Sequence, residues 1–301
     1  LPDGDFVDLD HADEDSARVD DRPLVVVLHG LEGSSRSGYA MECYRALLAR
    51  GVAAVGLNFR SCSGEPNRLA RFYHSGDTAD LRFVLGLLRR RRPERPLGAI
   101  GVSIGGNVLL KYLGEEEAES CVTVAAAVSV PFDLSAGADH LTRPLATLYA
   151  ARLLRSLRAK VVAKRPLLPP TVDLPAAIAA RTFRAFDDAV TAPLHGFAGV
   201  DDYYGRCSSD RFLHRIRVPT LLVHSRDDPF LPEQRIPWNA AAENPYLTGV
   251  WTERGGHVGF VSGRRPWRPR FWAEQRAAAF VAAGLRPGTA PAAGAAERQR
   301  R

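Results

Sequence analysis

A serine set between glycines is the residue of this chain best placed for covalent chemistry. The segment Gly101-Val102-Ser103-Ile104-Gly105-Gly106 follows an apolar run and opens an amphipathic one. A serine hydroxyl is a weak nucleophile until a base activates it. A sharp strand-to-helix turn exposes its oxygen for attack. Such a turn needs glycine on both sides, because a Cβ would clash where strand and helix approach. Two other Gly-rich loops do not fit. A dinucleotide loop would have glycine where Ser103 stands, and a Walker loop would carry Gly-Lys-Ser/Thr, which is absent.

A serine that attacks a carbonyl needs a base, a carboxylate to orient the base, and two N–H donors for the developing oxyanion. The predicted base is His257. It lies in Arg254-Gly255-Gly256-His257-Val258-Gly259-Phe260, where small residues let a loop carry imidazole to the hydroxyl. The carboxylate is sought in Ser225-Arg226-Asp227-Asp228-Pro229-Phe230-Leu231-Pro232, at the carboxyl end of an apolar run. Asp227 and Asp228 compete there. Asp228, directly before Pro229, is preferred, which leaves Asp227 a turn or capping role. The predicted donors are the N–H groups of Ile104 and of Leu31, the latter just after His29-Gly30. His29 reads as a structural histidine that shapes its loop. Histidines 11, 74, 140, 195, 214 and 224 lack the context of His257, and His224 is expected to be buried at a strand end.

The elements that must position these residues alternate strictly. Strands are predicted at Leu24–Leu28, Val52–Leu57, Leu97–Val102, Cys121–Val130, Val218–His224 and near 247–252. Helices are predicted at 37–50, closed by Gly51, at 77–92, stopped by Pro93, at 105–114, near 233–242 and at 268–283. The alternation predicts an α/β fold, with a mostly parallel sheet covered by helices on both faces. It breaks at Pro131. Residues 133–212 are arginine-rich, punctuated by proline and helical in pattern. They are expected to be a helical lid inserted into a core of residues 1–132 and 213–283. Residues 284–301, rich in Ala, Pro, Gly and Arg, are expected to be a disordered basic tail. No internal repeat is visible.

The 301 residues are 46% hydrophobic and 25% charged, an ordinary globular balance. No apolar run approaches the ~18 residues of a membrane span. The opening Leu1-Pro2-Asp3-Gly4-Asp5 carries no signal-peptide pattern, and the sequence does not begin with Met. Net charge is +6 and the pI about 9.4. Lys111, Lys160 and Lys164 are the only lysines. The basic runs are Arg89-Arg90-Arg91-Arg92 and the end after Arg298, and residues 1–22 are acidic. That distribution reads as a solvated helix end and a tail, so nucleic-acid binding is not expected. Cys43, Cys62, Cys121 and Cys207 form no CxxC pair and no zinc spacing, which suits free thiols in the cytoplasm. No metal and no cofactor is expected.

Taken together, these segments resemble the α/β-hydrolase superfamily, and more narrowly its YheT-like branch. That branch holds bacterial esterase-like proteins, eukaryotic abhydrolase-domain phospholipases and fungal medium-chain alcohol acyltransferases. The narrower resemblance rests on Pro2-Asp3-Gly4-Asp5, His29 to Ser35, Asn58-Phe59-Arg60-Ser61-Cys62-Ser63-Gly64, Tyr73-His74-Ser75-Gly76-Asp77, Asp227 to Phe230, and Gly255 to Phe260. It runs from about residue 1 to 283. Ser61 stands where the branch has glycine, and His11 where it has tryptophan. No catalytic role is derivable for residues 58–64 and 73–77, which are expected to be loop architecture.

The resemblance implies serine acyl transfer in the order Ser103, Asp228, His257, on a carboxylic ester with a short- to medium-chain acyl group or a lipid. The substrate would be a small molecule or a lipid ester. Leu153, Leu157 and Phe186 are candidates to line an acyl pocket, and peripheral membrane contact is left open. Two other readings stand beside it. The same triad can pass the acyl group to an alcohol, and an α/β-hydrolase-like chain can bind without catalysing. The sequence leaves the oligomeric state unknown.

Overall fold

In a computed structural model, residues 1–13, 21–263 and 269–286 are described. The expected disordered tail thus lies almost wholly outside the described residues. The elements begin β1 Asp8–His11, β2 Leu24–Leu28, α1 Gly38–Leu48, β3 Ala53–Asn58, α2 Thr78–Arg91, β4 Leu97–Val102, α3 Ile104–Glu116 and β5 Val124–Val128. Then come α4 Leu134–His140, α5 Pro144–Ala163, α6 Leu174–Ala179, α7 Phe183–Phe186, a π-helical turn at Asp187–Thr191, α8 Ala192–Leu194 and α9 Val200–Cys207. The chain returns to β6 Thr220–Ser225, α10 Trp238–Glu243, β7 Leu247–Thr252, the short strands β8 Val261–Ser262 and β9 Arg270–Phe271, and α11 Trp272–Gly284.

The main sheet has the order β1-β3-β2-β4-β5-β6-β7. Strands β2 to β7 run parallel, and β1 pairs antiparallel with β3 at one edge. Side chains alternate across each strand, so a strand buried on both faces is apolar throughout. Leu24, Val26 and Leu28 face the core under α2 and α3, with Leu81, Leu85, Val108 and Leu109. Val25 and Val27 face the opposite core, with Leu47 of α1 and Ala277 and Val281 of α11.

The chain leaves β2 for β3 on one side and returns to β4 on the other. The crevice beyond the carboxyl ends of β2 and β4 is therefore a topological switch point, where open α/β sheets bind ligands. The helices between β5 and β6 build a third cluster of their own, with Leu154, Phe183, Phe186 and Tyr203 buried in it. Leu31 and Phe72 of the body pack against that cluster.

Three expectations need correction. The helix expected near 233–242 is a 3₁₀ turn at Glu233–Arg235 followed by α10, because Pro237 stands between them as the cap of α10. The segment after His257 enters the β8–β9 pair before α11 begins at Trp272. The edge strand β1 was not expected in the acidic opening of the chain.

Candidate active site

Strand β4 ends at Val102, and the next residue turns sharply. Ser103 takes φ 55° and ψ −124°, a left-handed backbone that a side-chain-bearing residue adopts at a cost. The strain is held from both sides. Ser103 N–H donates to Val128 O at 2.8 Å, and Ser103 O accepts from Gly106 and Asn107 at 2.9 and 3.1 Å. A Cβ on Gly101 would meet Gly105 O at 2.5 Å, as the turn requires. A Cβ on Gly105 would meet His29 O at 2.5 Å and Leu28 O at 2.6 Å. Gly105 therefore lets α3 rest on the end of β2, the strand that feeds the Leu31 loop.

The structure brings together the three residues chosen from sequence. His257 Nε2 lies 3.0 Å from Ser103 Oγ, and His257 Nδ1 lies 2.8 Å from Asp228 Oδ2. Asp228 is buried, and its other oxygen accepts from Phe230 N–H at 2.8 Å. With Nδ1–H donating to the carboxylate, Nε2 is free to accept the serine proton. The Phe230 ring packs against the imidazole with centroids 4.6 Å apart.

Asp227, the rival carboxylate, points elsewhere. One oxygen accepts from the Ser225 hydroxyl at 2.5 Å and from the N–H groups of Gly255 and Gly256, both at 2.9 Å. Burial pushes the Asp227 carboxyl up, but these donors outweigh it and the net shift is downward. Asp227 ties down the turn just before His257.

The two amides chosen for the oxyanion have a distinctive position in the hydrogen-bond pattern. In the loop after β2, Gly30 N–H donates to Tyr39 OH, Glu32 N–H to Tyr73 OH, Gly33 N–H to Gly30 O, Ser34 N–H to Ser37 Oγ and Ser35 N–H to Asn58 Oδ1. Among the described residues, the Leu31 and Ile104 N–H groups have no such acceptor. Both residues line the cavity that Ser103 and His257 open into. Gly30 lets the loop come close, since a Cβ there would stand 3.1 Å from Ser103 Cβ.

His29 is fixed in a neutral form. Its Nδ1 is 2.7 Å from Gly30 O, and Phe59 N–H donates to Nε2 at 3.1 Å. Burial lowers its pKa to about 4, so it shapes the loop with no lone pair left for a substrate proton. His224 is buried at the end of β6.

The cavity has a volume of about 900 Å³, at the upper end of small-molecule sites. Leu153 and Leu157 of α5 and Phe186 of α7 line it, as do Glu32, Tyr73 and Lys160. Those last three were not picked out as site residues from the sequence. Glu32 and Tyr73 lie inside segments that carried the resemblance, and Lys160 is one of three lysines in an arginine-rich chain.

The sequence pattern of the alpha/beta hydrolase family matches residues 25–274. The chain belongs to that family. It is 42% identical over 278 residues to YheT of Escherichia coli (strain K12), an esterase by name, covering 92% of this chain and 81% of that protein. It is 33% identical over 269 residues to phospholipase ABHD3 of Bos taurus, covering 88% of this chain and 66% of the other. It is also 33% identical over 266 residues to the medium-chain fatty acid ethyl ester synthase/esterase 2 of Saccharomyces cerevisiae, covering 80% and 58%. Among solved structures, the 2,6-dihydroxy-pseudo-oxynicotine hydrolase aligns with a TM-score of 0.57 at 17% identity, over 96% of this chain and 67% of that one. At that identity the likeness speaks for the fold.

In this α/β hydrolase the segments without a derivable catalytic role turn out to be supports. Arg60 is buried and pairs with Asp3, Asp5 and Asp80 at 2.8, 2.9 and 2.6 Å, joining the opening residues to α2. Asn107 of α3 donates to Ser75 O and Cys207 O at 2.7 and 2.8 Å and accepts from Ser209 N–H at 3.0 Å. Gly76 sits so close to α9 that a Cβ would meet Cys207 Sγ at 2.4 Å. Residues 73–77 thus join α3, the helix that follows Ser103, to the helices between β5 and β6. Ser61, which departs from the branch's glycine, has φ 62°, the left-handed region that glycine enters without strain.

Proposed function

We propose that this α/β hydrolase is a serine esterase that cleaves carboxylic esters with short- to medium-chain acyl groups or lipid esters through an acyl-enzyme. The observation that carries the reading is the continuous relay from Ser103 Oγ through His257 to Asp228, with two acceptor-free amides at the same cavity. His257 takes the Ser103 proton as Oγ adds to the ester carbonyl. Asp228 holds the imidazole and stabilises the imidazolium. The N–H groups of Leu31 and Ile104 bind the oxyanion. His257 returns the proton to the departing alcohol, then activates water to release the acid.

The helices of residues 133–212 act as a lid over the carboxyl ends of the strands, and Leu153, Leu157 and Phe186 hold the acyl chain. The core is residues 1–132 and 213–283. No described helix is long and apolar enough to cross a membrane. The free cysteines suit a reducing compartment, and we place the enzyme in the cytoplasm. A second reading, acyl transfer to an alcohol on the same intermediate, is favoured by the relative named as both a synthase and an esterase.

The test is fluorophosphonate labelling of wild type and Ser103→Ala, followed by a chain-length series of p-nitrophenyl esters. Ser103→Ala should abolish labelling and lower kcat by roughly 10⁶. Asp228→Asn should lower kcat by about 10⁴ through the wrong imidazole tautomer, and Asp227→Asn should keep most of the rate. Labelling retained in Ser103→Ala removes the nucleophile, and a rate lost in Asp227→Asn with Asp228→Asn intact reverses the two carboxylates. The split of acyl-enzyme between acid and ester at rising alcohol concentration separates hydrolysis from transfer.

A further inference from the structure

The loop that carries the Leu31 amide is anchored to helix α5 through a buried carboxylate. Glu32, the residue after Leu31, has a left-handed backbone with φ 54° and a side chain only 5% exposed. One oxygen accepts from Lys160 Nζ at 2.7 Å and from Tyr73 OH at 3.0 Å. The other accepts from the Ser156 hydroxyl. Tyr73 OH in turn accepts the Glu32 N–H at 2.8 Å, so one phenol holds both the main chain and the side chain of Glu32. Ser156 and Lys160 stand at i and i+4 on α5, the spacing that places them on one helix face. Lys160 Nζ also lies 3.4 Å from Cys62 Sγ and 5.7 Å from the Tyr73 ring centroid.

We propose that Glu32 is a positioning residue, gripped by Ser156 and Lys160 of the lid, which aims the Leu31 N–H at the oxyanion when α5 is seated on the body. The proposal rests on the esterase reading and adds the device that couples lid to oxyanion hole. Three features support it. Glu32 directly follows Leu31, so a shift of the Glu32 backbone is passed through Leu31 Cα to the Gly30–Leu31 peptide unit, which carries the Leu31 N–H. A largely buried carboxylate is costly to leave unpaired, so the loop has reason to adjust when its cation is withdrawn. Finally, the flanking amides of Gly30, Glu32 and Gly33 have partners within the body, so the Glu32 side chain is the loop's polar link to α5, beside the apolar packing of Leu31 on the cluster that includes Leu154.

The experiment compares Lys160→Met, Glu32→Gln and Lys160→Arg with wild type and Ser103→Ala. Four readouts are taken: fluorophosphonate labelling rate, kcat and KM on p-nitrophenyl butyrate, affinity for butylboronic acid, and affinity for butanol. The boronic acid forms a tetrahedral boronate on Ser103 Oγ, with the serine proton passing to His257, and fills the oxyanion site. Butanol fills the acyl pocket without entering that site. Removing one oxyanion donor costs roughly 10²–10³ in kcat, and a donor mis-aimed instead of removed should cost roughly ten- to a hundredfold.

Lys160→Met and Glu32→Gln should lose that factor in kcat and in boronic acid affinity together. KM and butanol affinity should stay near wild type, and Lys160→Arg should recover most of the loss. If Lys160→Met does not fold, Ser156→Ala and Glu32→Gln carry the comparison. The inference is overturned if kcat and boronic acid affinity are unchanged, or if butanol affinity falls in step, which marks a collapsed pocket. A wild type that labels no better than Ser103→Ala overturns the esterase reading itself, and this proposal with it.

Discussion

Asp187 puts a carboxyl into the wall of an otherwise largely apolar cavity. It stands on the π-helical turn, and its oxygens accept from Thr191 Oγ1 at 2.5 Å and from Tyr204 OH at 2.7 Å. Burial pushes its pKa from 3.8 to about 6, and the two hydroxyls offset only part of that. The folded protein therefore holds this proton up to about pH 6, while the unfolded chain releases it near 3.8. The sign follows from linkage: stability from this group is complete below pH 3.8 and is lost as pH rises through about 6. Asp187→Asn removes the titration but keeps the volume and one acceptor. The variant should match wild type near pH 4 and exceed it by on the order of 2 kcal/mol at pH 7.5, read from urea unfolding at both values. An equal gap at the two pH values would assign the effect to packing. The grouping of Ser103, Asp228 and His257 is legible at this scale because each follows a strand end, Ser103 and His257 among glycines. The preference for Asp228 over Asp227 rests on a single local cue, the Pro229 that follows it. The two are adjacent in sequence, and only the turn after β6 sends one to the Gly255 and Gly256 amides and the other to the imidazole.

At the scale of elements, Gly105 links α3, the helix that follows Ser103, to β2, the strand that feeds the Leu31 loop. Its missing Cβ would overlap the backbone carbonyls at the end of β2, which cannot swing aside as a side chain would. Gly105→Ala should therefore push α3 away from β2, at a cost of about 3 kcal/mol if the overlap behaves as core overpacking. It should also widen the gap between Ser103 and Leu31. Urea unfolding reads the first effect and kcat the second. Normal stability with normal kcat would mean that the contact is slack. The parallel strands were readable because a strand covered on both faces is continuously apolar, as Leu24-Val25-Val26-Val27-Leu28 is. Edge strand β1, Asp8-Leu9-Asp10-His11, is only partly buried and has no such signature; its pairing with β3 places it. The ion pair between Glu32 and Lys160 joins residues 128 positions apart and leaves no local pattern to read.

Across the whole molecule, the charges that span distant segments converge on Arg60. Its side chain is 2% exposed, and three carboxylates from the opening residues and from α2 surround its guanidinium. Asn67 and the amides of Arg68 and Leu69 complete the shell of Asp5. Burial alone would raise the Asp5 carboxyl, yet these donors hold its pKa near 2. A depressed carboxylate contributes stability above its unfolded value of 3.8 and loses it as pH falls through about 2. The opening of the chain is thus fastened to the body by charge as well as by the packing of Val7 and Leu9 on the core. Arg60→Met fits an apolar chain into the space but strands the largely buried Asp80, which Arg60 holds through two hydrogen bonds, while Asp5 keeps Asn67 and its amide donors. Breaking a buried pair from one side costs about 3–5 kcal/mol, so the variant should lose that much at pH 7.5. The stranded Asp80 carboxylate, which burial already pushes up, can escape the penalty by taking up a proton. The deficit should therefore shrink as pH falls toward 4, whereas a simple cavity would leave it unchanged. Unfolding curves for wild type and Arg60→Met at the two pH values decide the matter, because a pH-independent deficit would mean the guanidinium acts through its packing and not through its charge.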